Sequence, residues 1–203
     1  MLAACICAAL AAHGERVAAF KPVVTGLDEE PGEFGRDHEL LASAANAGQS
    51  REDVAPYRFG APVSPHLAAE LAGVTMEPAE LVAAARGHEL VVCEGVGGLL
   101  VPITPGYLVR DLAVDLALPV VIAARSGLGT INHTLLTVHA ARAAGLTVAG
   151  VVMTPWPEEP GTIEQSNRST VEDLGRVPVS GLTRVAPDRL AEAGASLPLE
   201  DWL

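Results

Sequence analysis

Three apolar runs, "LVVC" (90–93), "LPVVIAAR" (118–125) and "LTVAGVVM" (146–153), constrain this chain more than any other feature. A strand that is apolar along its length has no face to give to water, so both faces must be covered. That is the condition of strands in parallel sheets. Between these runs lie segments with helical spacing, among them "TINHTLLTVHAARAAG" (130–145), stopped by Gly145. Alternating strands and helices predict an α/β fold: one domain over residues 1–203, with helices on both faces of a single parallel sheet.

The remaining elements follow the same grammar. "RVAAFKPV" (16–23) reads as a strand, and "TGLDEEPGEFGRD" as an irregular loop rich in Gly, Pro and acids. "HELLASAANAG" is expected to be a helix closed by Gly48. "PVSPHLAAELAG" begins a helix with Ser64 as N-cap and Pro65 at the first helical position, and "EPAELVAAARG" repeats that pattern. "TIEQSNRSTVEDLG" reads as helix and "RVPVSGL" as a short last strand. Residues 1–13 are rich in Ala and Leu and end at Gly14, as a buried helix would, but no capping residue precedes them. That run is too short to span a bilayer.

Charge and cysteine content narrow the function. A formal net charge of −12, with only 13 Lys and Arg, argues against a general nucleic-acid surface, although a local anion pocket remains open. Cys5, Cys7 and Cys93 have neither the spacing nor the His partners of a zinc site, so reduced thiols in the cytoplasm are expected.

In an open parallel sheet, ligands bind beyond the carboxyl ends of the strands. Lys21 follows "VAAF", Glu94 follows "LVVC", and "RSGLGTINH" follows "VVIAA". Lys21 is the only lysine among 203 residues, which suits a compact point charge facing an anion; a strand-end lysine snorkelling to the surface is the plainer alternative. Asp37 and Glu94 are oxygen ligands of the kind Mg²⁺ takes, though Asp37 could instead be the N-cap of the helix that follows it. "SGLGTINH" opens a helix whose first N–H groups, from Thr130 to Asn132, could meet a carboxylate; with Thr130 as a simple cap it is a plain loop. His133 and His139 read as structural, since no third ligand is apparent.

Together "KPVVTG", the later Asp37, "PVSPH", "CEGVGG" and "GLGTINHTLLT" resemble the dethiobiotin synthases, in that family's order and at about its spacing, from residue 1 to about 153. The resemblance implies a P-loop NTPase-like fold and a homodimer with active sites near the interface. It also implies ATP- and Mg²⁺-dependent carboxylation of 7,8-diaminopelargonate with CO₂, followed by ring closure. By position, Lys21 would neutralise carbamate and phosphate charge and Thr25 would contact the substrate. Asp37 and Glu94 would hold Mg²⁺, and Glu94, Gly95, Val96 and Gly97 would line the nucleotide site. Asn132 would reach the substrate carboxylate in the partner subunit.

Two departures accompany it. Thr154 stands where the family commonly has an Asn that reads adenine. Alignment back from Lys21 also puts Met1 just after the family's Gly-Lys-Thr phosphate loop, so that loop and the first strand, which should be central in the sheet, are absent from residues 1–203; neighbouring strands are expected to be left with unpaired backbone groups, and a misassigned start is expected. Two rival readings stand beside the enzyme. One is a non-catalytic dimeric binding module; the other is a partition-type or cobyric-acid-type relative.

Overall fold

A computed structural model describes all residues from Met1 to Leu203. The chain opens with α1 (Leu2–Ala12), then β1 (Val17–Phe20), β2 (Val23–Val24), α2 (Asp37–Ala44), the short α3 (Arg51–Val54) and β3 (Tyr57–Arg58). It continues through α4 (Pro65–Ala72), α5 (Pro78–Ala85), β4 (Leu90–Cys93), the hairpin β5 (Pro102–Thr104) and β6 (Tyr107–Leu108), and α6 (Val109–Leu116). The last part comprises β7 (Val120–Ala124), α7 (Thr130–Ala143), β8 (Val148–Trp156), α8 (Thr162–Gly175), β9 (Val179–Thr183) and α9 (Leu190–Gly194). No helix is long and apolar enough to cross a membrane.

The α/β class and the parallel direction are as the apolar runs predict, and the sheet is interrupted, as expected of residues that lack the family's central strand. Parallel pairing falls into three separate sheets, β1–β4, β2–β3 and β7–β8–β9, and the β5–β6 hairpin is antiparallel. No strand pairs with both β4 and β7, so their ladders stay separate. What joins them is α1. Its buried face, including Ala4, Cys5, Cys7 and Leu10, packs in one cluster with Val17 and Ala19 of β1, Leu90 and Val92 of β4, Val121 of β7 and Val152 of β8.

Helix limits follow local chemistry except where distant partners intervene. Gly73 ends α4 in a left-handed conformation (φ 64°), and Pro65 occupies its first turn. Helix α2, in contrast, stops at Ala44 rather than reaching Gly48. Asn46 is diverted to the free edge of β1, where its Oδ1 accepts from the Val17 N–H at 2.8 Å and its own N–H donates to the Val17 carbonyl. Gln49 pairs both side-chain groups with the Ala19 backbone. Two amide side chains therefore serve the edge of β1 as a neighbouring strand would.

The tightest helix contact is between α1 and α9. A Cβ added at Gly194 would lie 2.1 Å from the Cys5 carbonyl oxygen, whereas one at Gly106 would meet nothing within 4 Å. Overpacking against backbone costs about 1–3 kcal/mol or more. Gly194→Ala should therefore lower the Tm by roughly 4–8 °C, taking about 2 kcal/mol and the shift usual for this chain size. Gly106→Ala should leave it unchanged in the same thermal melt.

Candidate active site

The register of β1 against β4 creates the site. Phe20 is opposite Cys93, and the Glu94 N–H continues the ladder to the Phe20 carbonyl at 2.8 Å. Lys21 and Glu94 are the next residues on their strands, so parallel pairing places an ammonium and a carboxylate side by side at the carboxyl rim. The Lys21 backbone is fixed in turn by its N–H bond to the Val54 carbonyl at 2.8 Å.

Lys21 is only 6% exposed, which excludes a lysine snorkelling at the surface. Its Nζ donates to Glu94 Oε1, lies 2.9 Å from Asp37 Oδ2 and reaches the Gly95 carbonyl at 3.5 Å. Burial pushes the ammonium pKa down, but the charges of Glu94 and Asp37 more than reverse this and hold it above the ordinary lysine range. For Asp37, burial acts to raise the pKa, and the Lys21 charge and hydrogen bond outweigh it, holding the carboxyl below its usual range.

Asp37 is the first residue of α2, and Arg36, without a side-chain cap, is the N-cap. The capping alternative for Asp37 is thus overturned: its carboxylate turns to Lys21. Thr130 is likewise not the cap of α7; Gly129 is, and the Thr130 hydroxyl meets that of Thr134 at 3.2 Å. Ser64 is the N-cap of α4, but its hydroxyl meets His66 Nδ1 rather than the helix backbone.

Thr25 and Asp37 share a pocket of about 350 Å³, lined also by Gly26, Arg36, Pro62 and Val63. After Glu94 the chain turns through Gly95, Val96 and Gly97. A Cβ on Gly97 (φ 69°) would come within 3.0 Å of Val101, so this turn tolerates only glycine in its present form. Asn132 is exposed on α7 and Thr154 lies in β8, and neither contacts the Lys21 cluster. The Thr154 hydroxyl is buried without a hydrogen-bond partner.

Sequence reasoning passed over His38 and Arg36. His38 is buried behind Asp37 with Nδ1 unpartnered, and burial lowers its pKa. Arg36 binds backbone carbonyls of the loop after Thr25, partners that only the folded loop defines. The three cysteines are free, as expected, and burial pushes the Cys7 and Cys93 thiols up to about 12, so neither is a reactive thiolate.

Comparison with known proteins places the chain in a family. Residues 1–187 match the family described as an AAA domain. The chain is 35% identical over 182 residues to the ATP-dependent dethiobiotin synthetase BioD of Bacillus subtilis subsp. natto, covering 88% of this chain and 78% of that protein. It is 41% identical over 193 residues to the enzyme of the same name from Anaeromyxobacter dehalogenans, covering 93% and 79%. With the biotin biosynthesis bifunctional protein BioCD of Bordetella avium it shares 43% identity over 160 residues, 79% of this chain but 32% of that protein.

Parallel strands ending in a lysine, a carboxylate and a glycine turn, together with the AAA-domain match, define a P-loop NTPase-like α/β protein that works as an ATP-dependent enzyme. Within that class, the chain belongs to the ATP-dependent dethiobiotin synthetase family.

The depressed Asp37 pKa has a measurable consequence. A lowered carboxyl pKa contributes stability above its unfolded value of about 3.9, and that contribution is lost as pH falls through the folded value. The raised Lys21 pKa contributes fully below about 10.4 and is lost at more alkaline pH. The Tm difference between the parent and Asp37→Asn should therefore be constant between about pH 5 and 9 and shrink below pH 4. A difference that did not vary with pH would contradict the pairing.

Proposed function

We propose that the protein makes dethiobiotin by ATP-dependent carboxylation and ring closure of 7,8-diaminopelargonate. The observation that carries this reading is the buried Lys21 ammonium held between Asp37 and Glu94 at the strand tips, in a chain of this family. One substrate amine adds to CO₂ and loses a proton, giving a carbamate. A carbamate oxygen attacks the terminal phosphorus of ATP and displaces ADP. The second amine then attacks the activated carbonyl, phosphate departs, and the ureido ring closes.

Each of these species is anionic near the reacting centre, and Lys21 provides a fixed positive charge there. Because the ammonium is already desolvated and oriented by two carboxylates, little reorganisation is needed when charge develops on the substrate. Thr25, facing the 350 Å³ pocket, offers a hydroxyl to the amine end of the substrate. The glycines around Val96 would let the backbone approach the nucleotide phosphates closely, and we assign Thr154 to the nucleotide site as well, where its hydroxyl would stand in place of the family's adenine-reading Asn. Residues 1–203 contain no Gly-Lys-Thr phosphate loop.

Mg²⁺ fits the donor set. Asp37 and Glu94 each bind Lys21 Nζ through one carboxylate oxygen, which leaves Asp37 Oδ1 and Glu94 Oε2 as the hard oxygen donors that would hold this ion beside the ammonium. Bound there, it would offset phosphate charge.

For Asn132 we propose a role across a homodimer interface, binding the substrate carboxylate of the partner subunit. In support, Asn132 is exposed on α7 and the apolar side chains of Leu128 (85% exposed) and Leu136 (60%) lie nearby in sequence, as an uncovered subunit contact would. We place the protein in the cytoplasm, in keeping with its three unpaired thiols.

Lys21→Met in the full-length protein should reduce diamine-dependent ADP release by at least about 100-fold, the scale of losing one preorganised charge contact. No ADP release by the parent with diamine, bicarbonate, ATP and Mg²⁺ all present would sink the enzyme reading and favour a binding module. The shared site has its own check. Mixing inactive Lys21→Met and Asn132→Ala proteins under subunit exchange should recover activity, because one site of each mixed dimer is intact; no recovery would place Asn132 in its own subunit's site or outside it.

A further inference from the structure

Arg36 is the only cation lining the pocket that holds Thr25 and Asp37, yet its charge is turned away from any ligand. One guanidinium nitrogen donates to the Gly26 carbonyl at 3.0 Å; the other donates to the Leu27 carbonyl at 2.9 Å and to that of Glu29. It forms no ion pair, although the pocket also contains Glu29 and Glu30.

The place of these bonds in the chain gives them their meaning. Loop 26–35 is bounded by two glycines in left-handed conformations, Gly26 (φ 78°) and Gly35 (φ 74°), where the backbone swivels most freely. Thr25 lies just before the first glycine, and Arg36 just after the second, directly ahead of Asp37. The guanidinium spans the neck of the loop and ties the start of α2 to the segment that follows Thr25. It thereby fixes the two pocket walls against each other. The first half of the loop is also bound to the neighbouring chain, through Gly26 N–H to Ala61, Leu27 N–H to Phe59 and Asp28 N–H to Gly60. No hydrogen bond other than those of Arg36 joins that half to the residue ahead of Asp37.

We propose that Arg36 is a positioning residue that sets the distance between Thr25 and Asp37 and so the register of the diamine beside Lys21. The proposal rests on the carboxylation reading above. A planar fork donates from two separated nitrogens at once, whereas an ammonium donates from one, so charge alone should not replace it. Misplacing a reacting group by about 1 Å costs up to about 100-fold.

The test uses the full-length protein with Arg36→Met, which keeps the aliphatic stem, and Arg36→Lys, which keeps the charge. Expected for Arg36→Met is a 10- to 100-fold fall in kcat/KM for 7,8-diaminopelargonate, with the KM for ATP within twofold of the parent. Arg36→Lys should remain impaired. A merely structural role would move both KM values together with the Tm. Unchanged kcat/KM for the diamine in Arg36→Met, or full recovery in Arg36→Lys, would overturn the proposal. Should the parent itself show no diamine-dependent turnover, the carboxylation reading fails, and amide hydrogen exchange still judges Arg36: Gly26, Leu27, Asp28 and Glu29 should exchange faster in Arg36→Met while β1 and β4 do not. Unaltered exchange at those amides would overturn the pinning as well.

Discussion

A single buried cation organises the working end of this molecule. Lys21 cannot be sheltered from water at the tip of β1 unless opposite charge accompanies it, because the penalty for an unpaired buried ammonium is several kcal/mol. Glu94 is supplied by the β1–β4 register and Asp37 by the first turn of α2. Two ladder positions and one helix start are therefore held in mutual register by attraction to one ammonium, while the Gly95 turn follows because the chain must leave the rim close to it. Removing the ammonium would leave two carboxylates converging on one point, an arrangement that favours separation of the elements that carry them.

The same constraint explains how structural and chemical roles coexist in one residue. A lysine matched by two carboxylates is charge-rich but rigid, and rigidity is what electrostatic stabilisation of a developing anion requires. The surroundings of Asp37 vary along the chain. His38 behind it is buried, Asp37 itself is about half exposed toward the pocket, and Arg36 ahead of it spends its charge on backbone carbonyls. Three consecutive residues thus provide packing, charge and loop closure, each through a different partner.

Much of this was legible in the sequence, for a physical reason. Uniformly apolar strands can exist only where both faces are covered, so "LVVC" and "VVIAA" disclosed parallel strands, and residues directly after such strands had to lie at the rim; Lys21 and Glu94 were found in that way. What was not legible depended on partners far along the chain. The end of α2 at Ala44 is set by the bonds of Asn46 to Val17, across 29 residues, and no local pattern signals it. The β5–β6 hairpin and α6 were passed over although Asp111 accepts from the Leu108 N–H at 2.9 Å, a local cue at the start of that helix. The break in the sheet was legible, since the strand expected at its centre is absent from residues 1–203 and β4 and β7 have no common neighbour. Arg36 was invisible because its three acceptors are carbonyls, identical in every residue until the loop has folded.

Since Lys21 is the only lysine among residues 1–203, its ammonium can be observed directly. Nitrogen-15 labelling of lysine side chains, with Lys21→Met to assign the resonance, would report the charge at the centre of the site by NMR. The expected result is a slowly exchanging ammonium signal, sheltered by Asp37 and Glu94, that shifts when 7,8-diaminopelargonate, ATP and Mg²⁺ are added together. A signal exchanging as fast as that of free lysine, or one unmoved while the protein turns over substrate, would contradict the account that Lys21 lies at the reacting centre.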